Sequence, residues 1–267
     1  MSASEPRVLH TGAALLLSLG LVVLAGCRRT PPGEPPLRVA AAADLAFAFE
    51  EAGRAFERKT SLRPVLVFGS TGLLAKQIAE GAPFDVFAAA SVSYVEDVVR
   101  AGQCDGATRS LYARGRIVLW GRGPGLVPRS LAELASGTGK IALANPEHAP
   151  YGKAAREALE RSGVWEAVRS RVVYGENVQQ AMRYAETGDA DVAFIALSLA
   201  VANPHGERLD VDQSLHAPID QALVVCFRGK NAERGREFSA FVSSAEGRAI
   251  MRRYGFLLPG EVLAQAR

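Results

Sequence analysis

The sequence predicts an α/β protein of two lobes, each a mostly parallel sheet flanked by helices. Three observations carry that expectation. From residue 37 onward, short apolar runs alternate with amphipathic helical segments, the pattern that covers both faces of a parallel sheet with helices. The alternation runs twice, before and after the extended segment GRIVLW (115–120). A second extended apolar segment, QALVVCF (221–227), then returns the chain to the first unit. These two crossovers are the expected hinges. The expected division is 37–118 and 222–267 in lobe 1, with 119–221 in lobe 2. A cleft between such lobes collects the loops at the strand C-termini.

In chain order, LRVAAAA (37–43) reads as a strand whose alanines let a ligand approach the backbone. Asp44 follows and suits a helix N-cap before the periodic segment Leu45 to Lys59. PVLVF (64–68) is a second strand; it breaks into Gly69-Ser70-Thr71-Gly72 and restarts as the helix LLAKQIAEG. A strand from Asp85 to Ala90 and a helix from Ser93 to Ala101 come next. In the second unit, 131–136 is a short helix, KIALANP (140–146) a strand, 152–162 a helix, RVVYG (171–175) a strand and 177–187 a helix. DVAFIAL (191–197) is a buried strand, 203–217 a polar region, and 231–254 holds the last helix.

The first 36 residues have a different character. Arg7 precedes the apolar run AALLLSLGLVVLA (13–25), which is shorter than a membrane-spanning helix requires. Residues 1–26 therefore read as a secretory signal. Leu24-Ala25-Gly26-Cys27 forms a lipobox, which makes Cys27 the expected lipidation site. Acyl chains there would anchor the protein to a membrane facing the periplasm or the cell exterior. Residues 27–36 are a proline-rich tether. In that compartment Cys104 and Cys226 are either oxidised together or two separate small core residues. The net charge of +3 comes from basic residues interleaved with acids, which gives nucleic-acid binding no support.

The chemistry-bearing loops share one character. Asp44, the GSTG run and Gly175-Glu176-Asn177-Val178 each open a helix at a strand end. Helix starts present unpaired amides and a favourable field to an anion. Several such loops, in both lobes, point to an oxyanion clamped between them by neutral donors. No catalytic set is visible. There is no Gly-x-Ser-x-Gly elbow, GSTG lacks the Gly-Lys-Ser/Thr of a P-loop, and His148, His205 and His216 show no metal-ligand spacing. His148 is expected to shape its loop. The chain reads as a receptor without a cofactor or resident metal, not as an enzyme.

The runs VAAAADLAFAFEEAGRAFE, VFGSTGLLAKQIAEGAPFDVFAAAS, IALANPEHAPYGKAAREAL and YGENVQQAMRYAETGDADVAFIAL, closed by FVSSAEGRAIMRRYGF, carry a more specific signal. Over residues 37–258 the chain resembles the molybdate-binding component of ABC importers, a group of type 2 periplasmic binding proteins. The resemblance implies a monomer that captures molybdate or tungstate and delivers it to a membrane permease. Another tetrahedral oxyanion, phosphate-like or sulfate, is the alternative ligand. Carried across by motif, the contacts fall on Ala43 and Asp44, on Thr71 with Ser70 beside it, on Tyr151, and on the Val178 amide supported by Asn177. A tyrosine that one branch takes from the strand DVAFIAL is here Ala196, and Tyr151 is expected to substitute for it. Asp44 departs from the pattern, because a carboxylate repels a dianion. The expectation is that it turns back to cap its helix and offers only its N–H. The other reading is that it accepts a hydrogen bond from a protonated oxyanion.

Overall fold

Every residue of strand β1 (Arg38–Ala42) after Arg38 is buried, as a strand with both faces covered must be. The computed structural model to which it belongs describes Met1 and residues 35–261. The expected signal, Cys27 and most of the tether lie outside the described residues. After β1 a tight turn leads into α1 (Ala46–Thr60), which buries Ala48, Phe49, Ala52, Ala55 and Phe56 at helical spacing and ends at Ser61 in the left-handed region, φ 60°. Phe49 and Phe56 meet Phe238 edge-on at 5.7 and 5.4 Å, which fixes this helix against the end of the chain. Then come β2 (Val65–Gly69), α2 (Thr71–Ala79), β3 (Val86–Ala89), α3 (Val92–Arg100) and β4 (Cys104–Gly115).

The second unit runs β5 (Ile117–Gly121), β6 (Ile141–Ala144), α4 (Pro150–Arg161), α5 (Trp165–Val168), β7 (Val172–Gly175), α6 (Val178–Thr187), β8 (Val192–Ala196), α7 (Leu197–Ala202) and β9 (Glu207–Asp210). The chain returns through β10 (Ile219–Cys226) and closes with α8 (Ala232–Ser243) and α9 (Ala245–Arg253).

Two five-stranded sheets result, ordered β2-β1-β3-β10-β4 and β7-β6-β8-β5-β9. The fold is two-lobed α/β. Each sheet has a parallel part, β2-β1-β3 and β7-β6-β8, continued by antiparallel pairing through β10 and β5. Strand β5 pairs only within the second sheet, so the chain changes sheets at Arg116. The Arg116 guanidinium holds the Gly255 carbonyl at 3.0 and 2.9 Å, and its own carbonyl accepts from Leu197 N–H at 2.8 Å. Opposite each other in β4 and β10, Cys104 and Cys226 form a disulfide.

The short helices α5 and α7 were not expected from the sequence, and three larger features also differ. Strand β4 was not expected, and β9 falls in what read as a polar region. Both are edge strands with much exposed, polar sequence, so they lack a continuous apolar run. The segment 231–254 holds two helices, not one. Ser244 is extended and caps α9 by accepting from Gly247 N–H at 3.2 Å. Gly247 permits the break, since a Cβ there would lie 2.3 Å from the Phe241 carbonyl oxygen. Among the described residues no helix is long and apolar enough to cross a membrane.

Candidate functional site

All seven residues expected to hold the ligand line one small cavity between the two sheets: Ala43, Asp44, Ser70, Thr71, Tyr151, Asn177 and Val178. Its cavity volume is about 10 Å³, about the room that one water molecule needs. The C-terminal ends of β1 and β2 supply one wall, and the starts of α4 and α6 the other. No lysine, arginine or histidine lines it.

Each wall follows from local sequence. Thr71 opens α2, is buried, and its Oγ1 accepts from Ala90 N–H at 3.2 Å, so its own hydroxyl proton is available to a guest. Asn177 caps α6: its Oδ1 accepts from the amides of Gln179 and Gln180 at 3.0 and 3.1 Å. That leaves the Val178 amide at the cavity unclaimed. Tyr151 sits at the start of α4, behind Pro150, where the missing proline N–H costs the helix nothing. Gly152 lets this first turn lie on the end of β6, since a Cβ there would fall 2.0 Å from the Ala144 carbonyl oxygen.

Ser70 and Asp44 do not have the expected surroundings. Ser70 Oγ lies 2.7 Å from both the carbonyl oxygen and Nδ1 of His148, so it joins the two lobes. Beside it the Gly72 amide donates to the same carbonyl at 2.8 Å. His148 thus does more than shape its own loop. The expectation that Asp44 caps α1 is overturned. A 3-10 turn, Ala43–Leu45, intervenes between β1 and α1, and the Asp44 side chain caps neither it nor the helix. Its Oδ2 instead accepts from Tyr151 Oη at 2.9 Å and from Gln221 Nε2 at 2.6 Å. Gln221 Nε2 also lies 3.0 Å from Tyr151 Oη, and Gln221 Oε1 accepts from Tyr112 Oη at 2.8 Å. The backbone carbonyl of Asp44 accepts from Ser198 Oγ at 2.7 Å. Tyr151 therefore reaches across to the first lobe, but here its one proton goes to Asp44. Asp44 Oδ1 is buried without a partner.

Gln221, Tyr112, Ser198 and Gly115 are the site residues that sequence reasoning missed. Gly115 makes room for the network, since its Cβ would fall 2.0 Å from Tyr151 Oη. One signal was available: Gln221 is a lone amide entering an apolar strand, and a buried amide needs partners.

Burial raises Asp44 from its ordinary range to about 6, against the opposing hydrogen bonds from Gln221 and Tyr151. Burial, and next the Asp44 charge, push Tyr151 and Tyr112 well above the usual tyrosine value. A raised carboxyl binds its proton more tightly in the folded state than in the unfolded one. Its contribution is therefore fully present below the unfolded value and lost as pH rises through about 6. Between about pH 5 and 7 the unfolding free energy should fall by about 1 kcal/mol on this account. Denaturant melts across that range should show the loss in the native chain and not in Asp44→Asn; parallel curves would contradict it.

A two-lobed fold with a small, donor-lined, interlobe cavity defines a solute receptor. The chain belongs to the family described as bacterial extracellular solute-binding proteins, whose model matches residues 37–257. It is homologous to the molybdate-binding protein ModA of Rhodobacter capsulatus, 33% identical over 253 residues that cover 94% of this chain and 98% of the relative. The solved periplasmic molybdate-binding protein of Azotobacter vinelandii superposes with a TM-score of 0.78 at 29% identity, covering 84% of this chain and 99% of that one. The sulfate-binding protein SubI of Mycobacterium tuberculosis reaches a TM-score of 0.72 at 15% identity, covering 84% and 87%, a likeness of fold alone. Membership places the chain among solute receptors, not enzymes. Among the described residues no group of acidic, histidine and cysteine side chains could hold a metal ion.

Proposed function

We propose that the chain captures molybdate or tungstate outside the cytoplasmic membrane and delivers it to the permease of an ABC importer. The observation that carries this is the cavity itself. Loops from both lobes converge on it with the Val178 amide and the Thr71 hydroxyl, two neutral donors. Dipolar donors balance an anion without a full opposite charge, which keeps release to a permease feasible. The homology to molybdate-binding proteins supports the choice of anion. Asp44 favours a second reading, a tetrahedral oxyanion that carries a proton, because its Oδ1 is buried without a partner in a residue that lines the cavity. Attachment to the membrane through lipid on Cys27 belongs to the same proposal, and Cys27→Ser should release the protein from membranes.

Calorimetric titration with molybdate, tungstate, phosphate and sulfate separates the readings. Molybdate and tungstate should bind tighter than sulfate by about tenfold or more, about 1.4 kcal/mol. Preference for phosphate would move the assignment to the second reading. Because donors come from both lobes, the lobes should close on the anion about the two connections, at Arg116 and between β9 and β10. Small-angle scattering should show the particle shrinking on addition of saturating anion, and identical profiles would argue for a rigid cleft.

A further inference from the structure

We propose that Asp44 couples anion capture to the uptake of one proton, held between its Oδ1 and an oxygen of the bound anion. The inference rests on the receptor reading above and adds a specificity-determining group to it.

The geometry leaves the proton one place to go. Asp44 Oδ2 is engaged by two donors, Tyr151 Oη and Gln221 Nε2. Gln221 is held in that orientation by the Tyr112 hydroxyl on its Oε1. The network's bonds all go to Oδ2 and none to Oδ1, which is buried and unpartnered in a residue that lines the cavity. An ionised Oδ1 facing an anion oxygen is repulsive, and no cationic side chain lines the cavity to offset it. A single proton on the line between the two oxygens turns that repulsion into a charge-assisted hydrogen bond.

The surroundings favour holding that proton. The ionisable groups facing Asp44 are Tyr112 from β4 and Tyr151 from α4. From the other elements packed on its turn come Gln221 of β10, Ser198 of α7, Thr71 of α2, and Asn177 with Val178 at the start of α6, none of them charged. Further along α6, Arg183 and Glu186 are exposed. Arg116 acts on Tyr151, and its guanidinium is bound to the Gly255 carbonyl. No charged neighbour contributes to the elevation of Asp44 to about 6, which comes from burial. An arriving anion raises it further, since like charges disfavour the ionised carboxyl. Two consequences follow. Affinity for a fully deprotonated anion falls as pH rises above that value, approaching tenfold per pH unit. Anions with basic oxygens, such as molybdate and tungstate, share the proton better than the anion of a strong acid, such as sulfate.

The test is calorimetry of the full chain with sodium molybdate at about pH 8, in Tris and in HEPES, whose ionisation enthalpies differ. The buffer dependence of the heat counts protons. About one proton should be taken up per molybdate bound, and the dissociation constant should weaken about tenfold between pH 7 and 8. In Asp44→Asn the side-chain carbonyl can keep the Tyr151 and Gln221 bonds while its amide donates to the anion. That variant should bind with no proton uptake and a flat pH profile. Because the proton count is made on the unmodified chain, a variant that fails to fold would not rescue the idea. Molybdate binding with no net uptake by the native chain overturns this inference alone. Absence of binding to molybdate, tungstate, phosphate and sulfate overturns the receptor reading, and this inference with it.

Discussion

Gly72→Val should weaken anion binding by about a hundredfold or more while leaving the chain folded. Gly72 sits in the first turn of α2, where its amide donates to the His148 carbonyl at 2.8 Å. A Cβ there would lie 2.8 Å from that oxygen, 2.9 Å from His148 Cβ and 2.9 Å from Tyr94 Oη. Two of those three atoms belong to the other lobe. Valine is no worse a helix former than glycine, and Tyr94 Oη, in the same lobe, is the far end of a side chain that can give way, so the conflict with the His148 backbone arises when the lobes are together. The variant would lose the Gly72 bond and displace the Ser70–His148 bonds, each worth about 0.5–1.5 kcal/mol, before the steric overlap is added. Together these approach the roughly 3 kcal/mol that corresponds to a hundredfold. Titration with the preferred anion measures the loss, and circular dichroism checks the fold. An affinity within threefold of the native value would mean that the solute-bound form does not use this apposition.

The last glycine of GSTG therefore has a role that local sequence did not disclose. The run reads correctly as a strand-to-helix loop because its chemistry is local: a strand stops, small polar residues intervene, and a periodic segment begins. The same holds for Asn177, whose cap is formed with residues two and three positions ahead. What the run meets across the cleft is not local. His148 lies 78 residues from Ser70, Gln221 lies 177 from Asp44, and Tyr112 lies 109 from Gln221. No periodicity or turn rule links such positions. Asp44 shows how a local rule misleads. Its residue type and place suit an N-cap, but the intervening 3-10 turn moves the helix start to Ala46 and leaves the carboxylate to Tyr151 and Gln221. A buried acid with two donors waiting in distant segments outcompeted the cap. The fold was legible where strands are apolar runs between helices. It was not legible in β4 and β9, where half-exposed edges carry residues such as Arg109, Arg114, Glu207 and Arg208.

Tyr151→Phe should weaken anion binding by about ten- to a hundredfold. The ring is 3% exposed and its packing is unchanged by the substitution, so the experiment removes one hydroxyl and nothing else. That hydroxyl donates to Asp44 Oδ2 at 2.9 Å and lies 3.0 Å from Gln221 Nε2. Tyr151 comes from the second sheet's lobe, while Asp44 and Gln221 belong to strands of the first sheet or the turn that follows one. The bond therefore forms only when the lobes meet, and its loss counts against the closed form rather than against the fold of either lobe. A hydrogen bond to a charged group contributes about 1.5–3 kcal/mol, which sets the expected range. The effect does not require the hydroxyl to touch the anion. In the arrangement seen here it holds the carboxyl through Oδ2 and leaves Oδ1 without a partner, and Gly115 supplies the space for the hydroxyl. Thermal unfolding of the anion-free chain should move little by comparison. A dissociation constant unchanged in Tyr151→Phe would show that closure does not depend on this bond, and would leave Ser70, Gly72 and His148 as the contacts that hold the lobes together.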